Sequence, residues 1–274
     1  AVGLTRWLVR RSGRRMPSGD CVVFLGTGVS TGLPRLSCAA LDKGGRGRCE
    51  VCWKGLMDPL NPNRRNNVSI LVRFRDAEGH WRHVMVDAGK TMREAVLRWF
   101  PAYGLHSIDA LVLTHGHSDA MGGMDDLRDL QPPAVIRDAK GRMVEKRAAA
   151  LPVFCNQATY EVCAQAYPYL IPKTNLETQR KEGIQRRVAS LEWRMVQHEV
   201  AFEVHGLAIT PVPLFHGGTY ICLGFIIGDG FVYLSDVHRV PDSTMKLLQS
   251  LPKIDTLVVD ALLRRSHPSH FSLG

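Results

Sequence analysis

A run of strand-forming apolar residues, Leu111-Val112-Leu113, leads straight into Thr114-His115-Gly116-His117-Ser118-Asp119. A buried strand that ends in two imidazoles and a carboxylate limits what the chain can fold into. The strand must be covered by other elements, while its C-terminal end opens onto a polar site. Side chains alternate along an extended backbone, so His115 and His117 share one face about 7 Å apart. Two imidazoles at that spacing can converge on a single ion, and Asp119 adds a hard oxygen ligand or a base beside them. Gly122-Gly123 follows and lets the chain turn away. The expectation is a metal site.

Further strand-length apolar runs surround this one. Val22–Leu25, Val68–Phe74, His83–Asp87, Ile108–Leu113, Leu151–Phe154, Phe202–Val212, Ile221–Ile227, Phe231–Leu234 and Thr256–Val259 are predicted strands. Asp76-Ala77-Glu78-Gly79 reads as a hairpin turn. Helical spacing predicts helices over Thr91–Phe100, Gln157–Ala166 and Thr244–Leu251, and a further helix starting at Met124 with Asp125 and Asp126 at its positive end. Ala134–Ala150 is charged and reads as an irregular stretch or a hairpin, and Pro168–Ser190 as a polar insertion suited to a lid or lobe. The alternation predicts an α/β protein.

The formal net charge of +9 is unevenly spread: five arginines stand against one aspartate in the first twenty residues. Residues 1–20 read as a basic, flexible leader, either a plain tail or the remnant of a mitochondrial-type presequence. The milder positive balance elsewhere suits a small anionic substrate rather than a nucleic-acid footprint, so nucleic acid enters only as a short substrate. No apolar run reaches the roughly 20 residues that span a bilayer, and no membrane partner is expected. An odd count of seven cysteines in a chain this long does not suit a secreted disulfide framework. The expected compartment is the cytoplasm, or the mitochondrion if the leader is a presequence; a homodimer stays open.

Several motifs in order resemble the metallo-β-lactamase superfamily. They are Phe24-Leu25-Gly26-Thr27-Gly28-Val29-Ser30-Thr31-Gly32-Leu33-Pro34-Arg35, the Thr-His-x-His-x-Asp stretch with Gly123–Arg128, Ser235-Asp236-Val237, Asp260-Ala261-Leu262 and Ser269-His270-Phe271. The chain is most similar to the branch of small phosphodiesterases that includes the carbon–phosphorus lyase phosphodiesterase, and more distantly to ribonuclease Z. The resemblance implies a four-layer αββα sandwich over residues 21–274. It also implies a C-terminally incomplete domain, because the family continues with a helix, a strand and a further Thr-His motif, whereas this sequence stops at Gly274.

His216, in Leu214-Phe215-His216-Gly217-Gly218, and Asp236, after Phe231–Ser235, each have an ordinary structural reading when taken alone, as an edge histidine and a turn former. By resemblance, His115, His117 and His216 hold a first metal, Asp236 bridges it to a second, and Asp119 ligates the second. Asp87 orients the metal loop. The family commonly carries His directly after the motif's Asp; here that residue is Ala120, which weakens the second position. His270, rather than His267, matches the family's loop histidine and is expected near the substrate phosphate, stabilising charge or protonating the leaving alkoxide.

Cys38, Cys49 and Cys52 form C-x10-C-x2-C, a spacing open to a structural zinc or to free thiols. Cys21, Cys155, Cys163 and Cys222 lie in apolar segments and read as core. Arg64-Arg65-Asn66-Asn67 reads as a substrate-facing cluster or a solvated turn. The resulting expectation is a metal-dependent hydrolase using Zn or Mn, with one or two ions. Its substrate would be a small cyclic or nucleotide phosphodiester, attacked by a metal-bound hydroxide. The alternatives are an ester, thioester or lactone hydrolase of the same fold, or a non-catalytic metal-binding scaffold.

Overall fold

Side chains alternating between the two faces of each strand divide the molecule into layers. In the computed structural model, which describes residues 8–10, 16–39, 49–137, 140–172 and 188–273, strands β2 (Cys21–Gly26), β3 (Ser69–Arg75), β4 (Trp81–Val86), β5 (Ala110–Val112), β8 (Leu151–Cys155) and β9 (Leu191–Met195) form one sheet. A short β1 (Leu8–Arg10), inside the basic leader, pairs parallel to Cys21–Val23 at its edge. Strands β10 (Phe202–Val204), β11 (Leu207–Phe215), β12 (Ile221–Ile227), β13 (Phe231–Leu234) and β14 (Thr256–Val259) form the second sheet. The Ala134–Ala150 stretch is a separate hairpin, β6 (Pro133–Arg137) with β7 (Met143–Ala148).

Period-2 alternation sends Ile70, Val72, Val84, Val86 and Val112 inward, against Leu223, Phe225, Ile227, Phe231 and Tyr233 of the facing sheet. After β2 come two helices, α1 (Leu36–Ala39) and α2 (Glu50–Met57); the intervening strand residues, Leu71, Met85 and Leu111, turn outward onto α3 (Met92–Tyr103) and α5 (Gln157–Ala166), through Met92, Ala95, Phe100 and Cys163. Val212, Cys222, Val232 and Leu234 pack outward against Leu248 of α6 (Asp242–Ser250). Helix, sheet, sheet and helix make the four-layer αββα sandwich that the motifs implied. Cys21, Cys155, Cys163 and Cys222 are all buried, as expected of core thiols.

Three local readings change. The predicted single strand over 202–212 is a hairpin, because His205 and Gly206 both take positive φ (50° and 84°) and reverse the chain between β10 and β11. The helix from Met124 is a tighter 3-10 turn, Met124–Asp129, in which Asp125 pairs with Arg128 and accepts from the Tyr169 hydroxyl. The predicted strand 108–113 contracts to β5. Residues 173–187 of the polar insertion lie outside the described residues, as do residues 1–7 and 11–15 of the leader.

The β3–β4 turn illustrates how a buried carboxylate can hold a hairpin. Asp76 accepts from the backbone N–H of His80 at 2.8 Å and of Glu78 at 3.1 Å, and from Arg82 Nε at 2.7 Å. Burial alone raises its pKa, but these bonds to Arg82 and the turn outweigh it and hold the carboxyl below its ordinary value. A lowered folded pKa stabilises the fold above the unfolded value, near pH 4, and that contribution disappears as pH falls through the folded value. Asp76→Asn is therefore expected to lower the denaturant midpoint at pH 7 and to match the native chain near pH 2. An equal deficit at both pH values would show that the ionised carboxylate is not what matters.

Candidate metal centre

The C-terminal ends of the central strands converge at one rim of the sandwich. Asp87 follows β4, the His115-x-His117 loop follows β5, Asp236 follows β13 and Asp260 follows β14. Asp87 takes the left-handed conformation (φ 62°), uncommon for a residue with a Cβ. The turn aims its carboxylate at Thr114, accepting from the backbone N–H and from the hydroxyl at 2.8 Å each. Thr114 in turn faces His115 Nδ1 at 2.8 Å.

This chain of contacts settles which nitrogen of His115 is free. With the Thr114 hydroxyl donating to Asp87, its oxygen is free to accept from Nδ1–H, the tautomer that leaves the lone pair on Nε2. His216 is fixed in the same sense: its Nδ1 lies 2.8 Å from the Ser269 carbonyl, which can only accept. Both Nε2 atoms stand 3.6 Å from Asp236 Oδ2. His115 Nε2 is fully buried and has no hydrogen-bond partner. Two lone-pair nitrogens facing a carboxylate oxygen repel one another unless a cation lies among them. Ligand atoms bound to a tetrahedral ion by bonds of about 2.0–2.1 Å lie about 3.4 Å apart, close to what the residues present. The donor set fits a divalent metal.

The imidazoles of His115, His117 and His216 bring their nitrogens within 4.8 Å of one another, with His115 and His216 buried and His117 exposed. The extended-strand argument for His115 and His117 gives way here: the strand ends at Val112, and His117 precedes the short helix α4 (Ser118–Met121). Curling of the loop brings the two rings edge-on at 4.6 Å. Burial, then the neighbouring histidines, push His115 well below the usual histidine pKa; burial and His216 lower His117. Both are therefore neutral near pH 7, the protonation state that ligates metal. Burial, opposed by His216 and reinforced by Asp119, pushes Asp236 up to about 6.

His270 joins His216 and Asp236 in a second convergent group. Its Nδ1 sits 2.5 Å from Asp260 Oδ2, and this bond keeps the imidazole protonated to higher pH than usual. Asp119 is half-buried and is not among the atoms that converge within 4.8 Å; it lines an adjacent cavity of about 320 Å³. Phe24, Val68 and Leu262 give that cavity apolar walls, and Asp236 and His270 line it as well. Ala120 is buried, and its carbonyl accepts from Ala88 N–H at 2.7 Å, so this position offers no ligand side chain. The loops approach so closely that a Cβ on Gly89 would lie 1.9 Å from the Asp119 carbonyl oxygen.

Asp125 lies with Arg128 and Tyr169 rather than in this cluster, and His267 Nδ1 is engaged by Ser269. Asn67, buried under the glycine loop, donates to the carbonyls of Val29 and Ser30, while Arg65 donates to Thr27. The Arg64–Asn67 cluster thus braces the loop beside the cavity. Cys38, Cys49 and Cys52 bring their sulfurs within 4.8 Å of one another, although residues 40–48 between them lie outside the described residues. Tyr220 carries a part of the site that motif reading passed over, and Asp260 was quoted within a motif but given no role. Asp260 had a legible signal: like Asp87 and Asp236, it is a carboxylate directly after an apolar strand.

A protein-family description, "Beta-lactamase superfamily domain", matches residues 82–274, which include every histidine and carboxylate of this centre. The chain belongs to the metallo-β-lactamase superfamily. Among solved structures, this metallo-β-lactamase-fold chain is similar to one described as a new diphosphatase from the PhnP family. The two share 29% identity with a TM-score of 0.64, over 92% of this chain and 77% of the other. It is also similar to the metallo-β-lactamase fold protein YhfI of Bacillus subtilis, at 16% identity and a TM-score of 0.49, over 76% of this chain and 71% of the other. A curated relative from Porphyromonas gingivalis, named an octanoyltransferase, is 26% identical over 249 residues, or 90% of this chain. The chain spans 40% of that relative's length. Among the described residues no helix is long and apolar enough to cross a membrane.

Proposed function

We propose that this metal-dependent hydrolase is a phosphodiesterase acting on a small cyclic or nucleotide phosphodiester. The observation that carries this reading is the approach of Asp236 Oδ2, which also lines the cavity, to the lone pairs of His115 and His216. In this reading His115, His117, His216 and Asp236 hold a first divalent ion, Zn or Mn, and Asp119 with Asp236 holds a second. When bound, such ions supply Lewis acidity toward the phosphoryl oxygens and activate water for attack.

The protein groups do the rest. Apolar walls receive the neutral part of the ester and exclude water from the reacting end. His270, held protonated by Asp260, lies beside His216 and Asp236, where it can deliver a proton to the departing alkoxide. The net charge of +9 favours an anionic substrate, and the similarity to a diphosphatase supports phosphorus over acyl chemistry. The three converging thiols are proposed as a structural zinc site, with Cys52 its buried member.

Turnover of bis-p-nitrophenyl phosphate by metal-stripped protein reloaded with Mn²⁺ or Zn²⁺ tests the reading. Diester cleavage restored by either ion supports it. Cleavage of a lactone or thioester without any diester turnover overturns it in favour of acyl chemistry, and inertness toward both classes leaves a metal-binding scaffold. Elemental analysis of the same samples checks the thiol site: Cys52→Ser is expected to remove zinc without removing the ion at the histidines.

A further inference from the structure

Two of the three converging imidazoles are locked from behind. His115 Nδ1 rests against the Thr114 hydroxyl and His216 Nδ1 against the Ser269 carbonyl. Such partners orient a ligand ring and set its tautomer. His117 differs. It is the exposed member of the three, and among the described residues no hydrogen bond holds its ring. Its close flat contact is with Tyr220, whose ring lies 4.9 Å away and within 7° of parallel.

Tyr220 comes from the other side of the site. It ends the turn between β11 and β12, where its N–H donates to the Gly217 carbonyl at 3.0 Å and its own carbonyl accepts from His216 N–H at 2.8 Å. Its hydroxyl reaches across to accept from the Gly116 N–H at 3.3 Å, between the two histidines of the first loop. One residue therefore belongs to the loop that carries His216 and covers the loop that carries His115 and His117. Gly116 has no room to shift outward, because a Cβ there would lie 2.9 Å from Val162 of α5.

We propose that Tyr220 is the positioning residue for His117: its stacked ring holds the one unbraced imidazole in the orientation that meets the metal. The proposal rests on the metal-centre reading above. An exposed imidazole without such a wall samples several rotamers, and apparent affinity falls with the fraction that is competent. Loss of an outer partner of a ligand histidine weakens metal binding by about 10–100-fold.

Zinc affinity of the metal-stripped full chain carrying Cys52→Ser, so that the thiol site does not contribute, measured by competition with a chromophoric chelator, tests this. Visible absorption after Co²⁺ loading provides a second readout that does not depend on turnover. Tyr220→Leu keeps apolar bulk but removes the flat ring, and is expected to weaken Zn²⁺ binding by about 10–100-fold and to alter the Co²⁺ bands. Tyr220→Phe retains the ring and is expected to restore both to near the native values. If the leucine variant does not fold, as judged by circular dichroism, Tyr220→Met takes its place. Native Zn²⁺ affinity and native Co²⁺ bands in the leucine variant would overturn the proposal. So would a phenylalanine variant as impaired as the leucine one, because the hydroxyl rather than the stack would then be responsible. Failure of the metal-centre reading itself looks different: native chain and His117→Ala would bind zinc equally.

Discussion

His117→Ala is expected to leave a folded protein that no longer retains an ion at the proposed histidine site. His117 is the substitution of choice because it is exposed, so little packing goes with it. His115, 2% exposed and bonded to Thr114, would leave a void and remove one of the two partners of the Thr114 hydroxyl, mixing stability with metal loss. Metal-ion chemistry contributes several kcal/mol to the transition state, so turnover of bis-p-nitrophenyl phosphate should fall by about 10³-fold or more. Elemental mass spectrometry and steady-state kinetics on the same sample check both halves, with a melting curve as the control for folding. Unchanged metal content would refute the ligand assignment whatever happens to the rate.

His270→Ala should separate two roles that the geometry places close together. His270 converges with His216 and Asp236 tightly enough to be a ligand, yet its Nδ1 is committed to Asp260 at 2.5 Å. As a proton donor it should be worth about 10²–10⁴ in kcat toward a diester with a poor alkoxide leaving group. Much less should be lost with p-nitrophenolate, which departs without protonation. Metal content should stay at the native level. Asp260→Asn is expected to act in the same direction more weakly, because it acts through His270. Metal lost along with His270 would make it a ligand, and an equal loss on both leaving groups would remove it from the proton-transfer step.

Strand positions were the most legible part of the fold, because a strand buried on both faces reads as a continuous apolar run. Phe231–Leu234 is such a strand; Thr256–Val259, apolar but half exposed, also lies where its composition placed it, and so does the helix over Gln157–Ala166, whose start is marked by Asn156 accepting from Thr159 N–H. The hairpin at His205-Gly206 was not read from the sequence, because His at a positive φ carries little turn signal and the flanking residues continue the apolar pattern. Met124 was read as a helix start from its acidic first turn, but that turn is claimed by Arg128 and Tyr169.

The sequence by itself marked His115 and His117 through their motif after an apolar strand, and His216 and Asp236 through their place in an order of motifs that resembles the family. Order along the chain carries that information. Only the tertiary structure decided how they meet. His115 and His117 converge through a loop bend rather than along a strand, and the free nitrogen of His115 depends on Asp87, 28 residues earlier. Asp260 becomes the partner of His270, and Tyr220 the wall behind His117, through side-chain contacts that neither motif nor periodicity records. Identity and spacing are local properties of a chain. The orientation of an imidazole and the proton it carries depend on atoms brought up from other strands and loops.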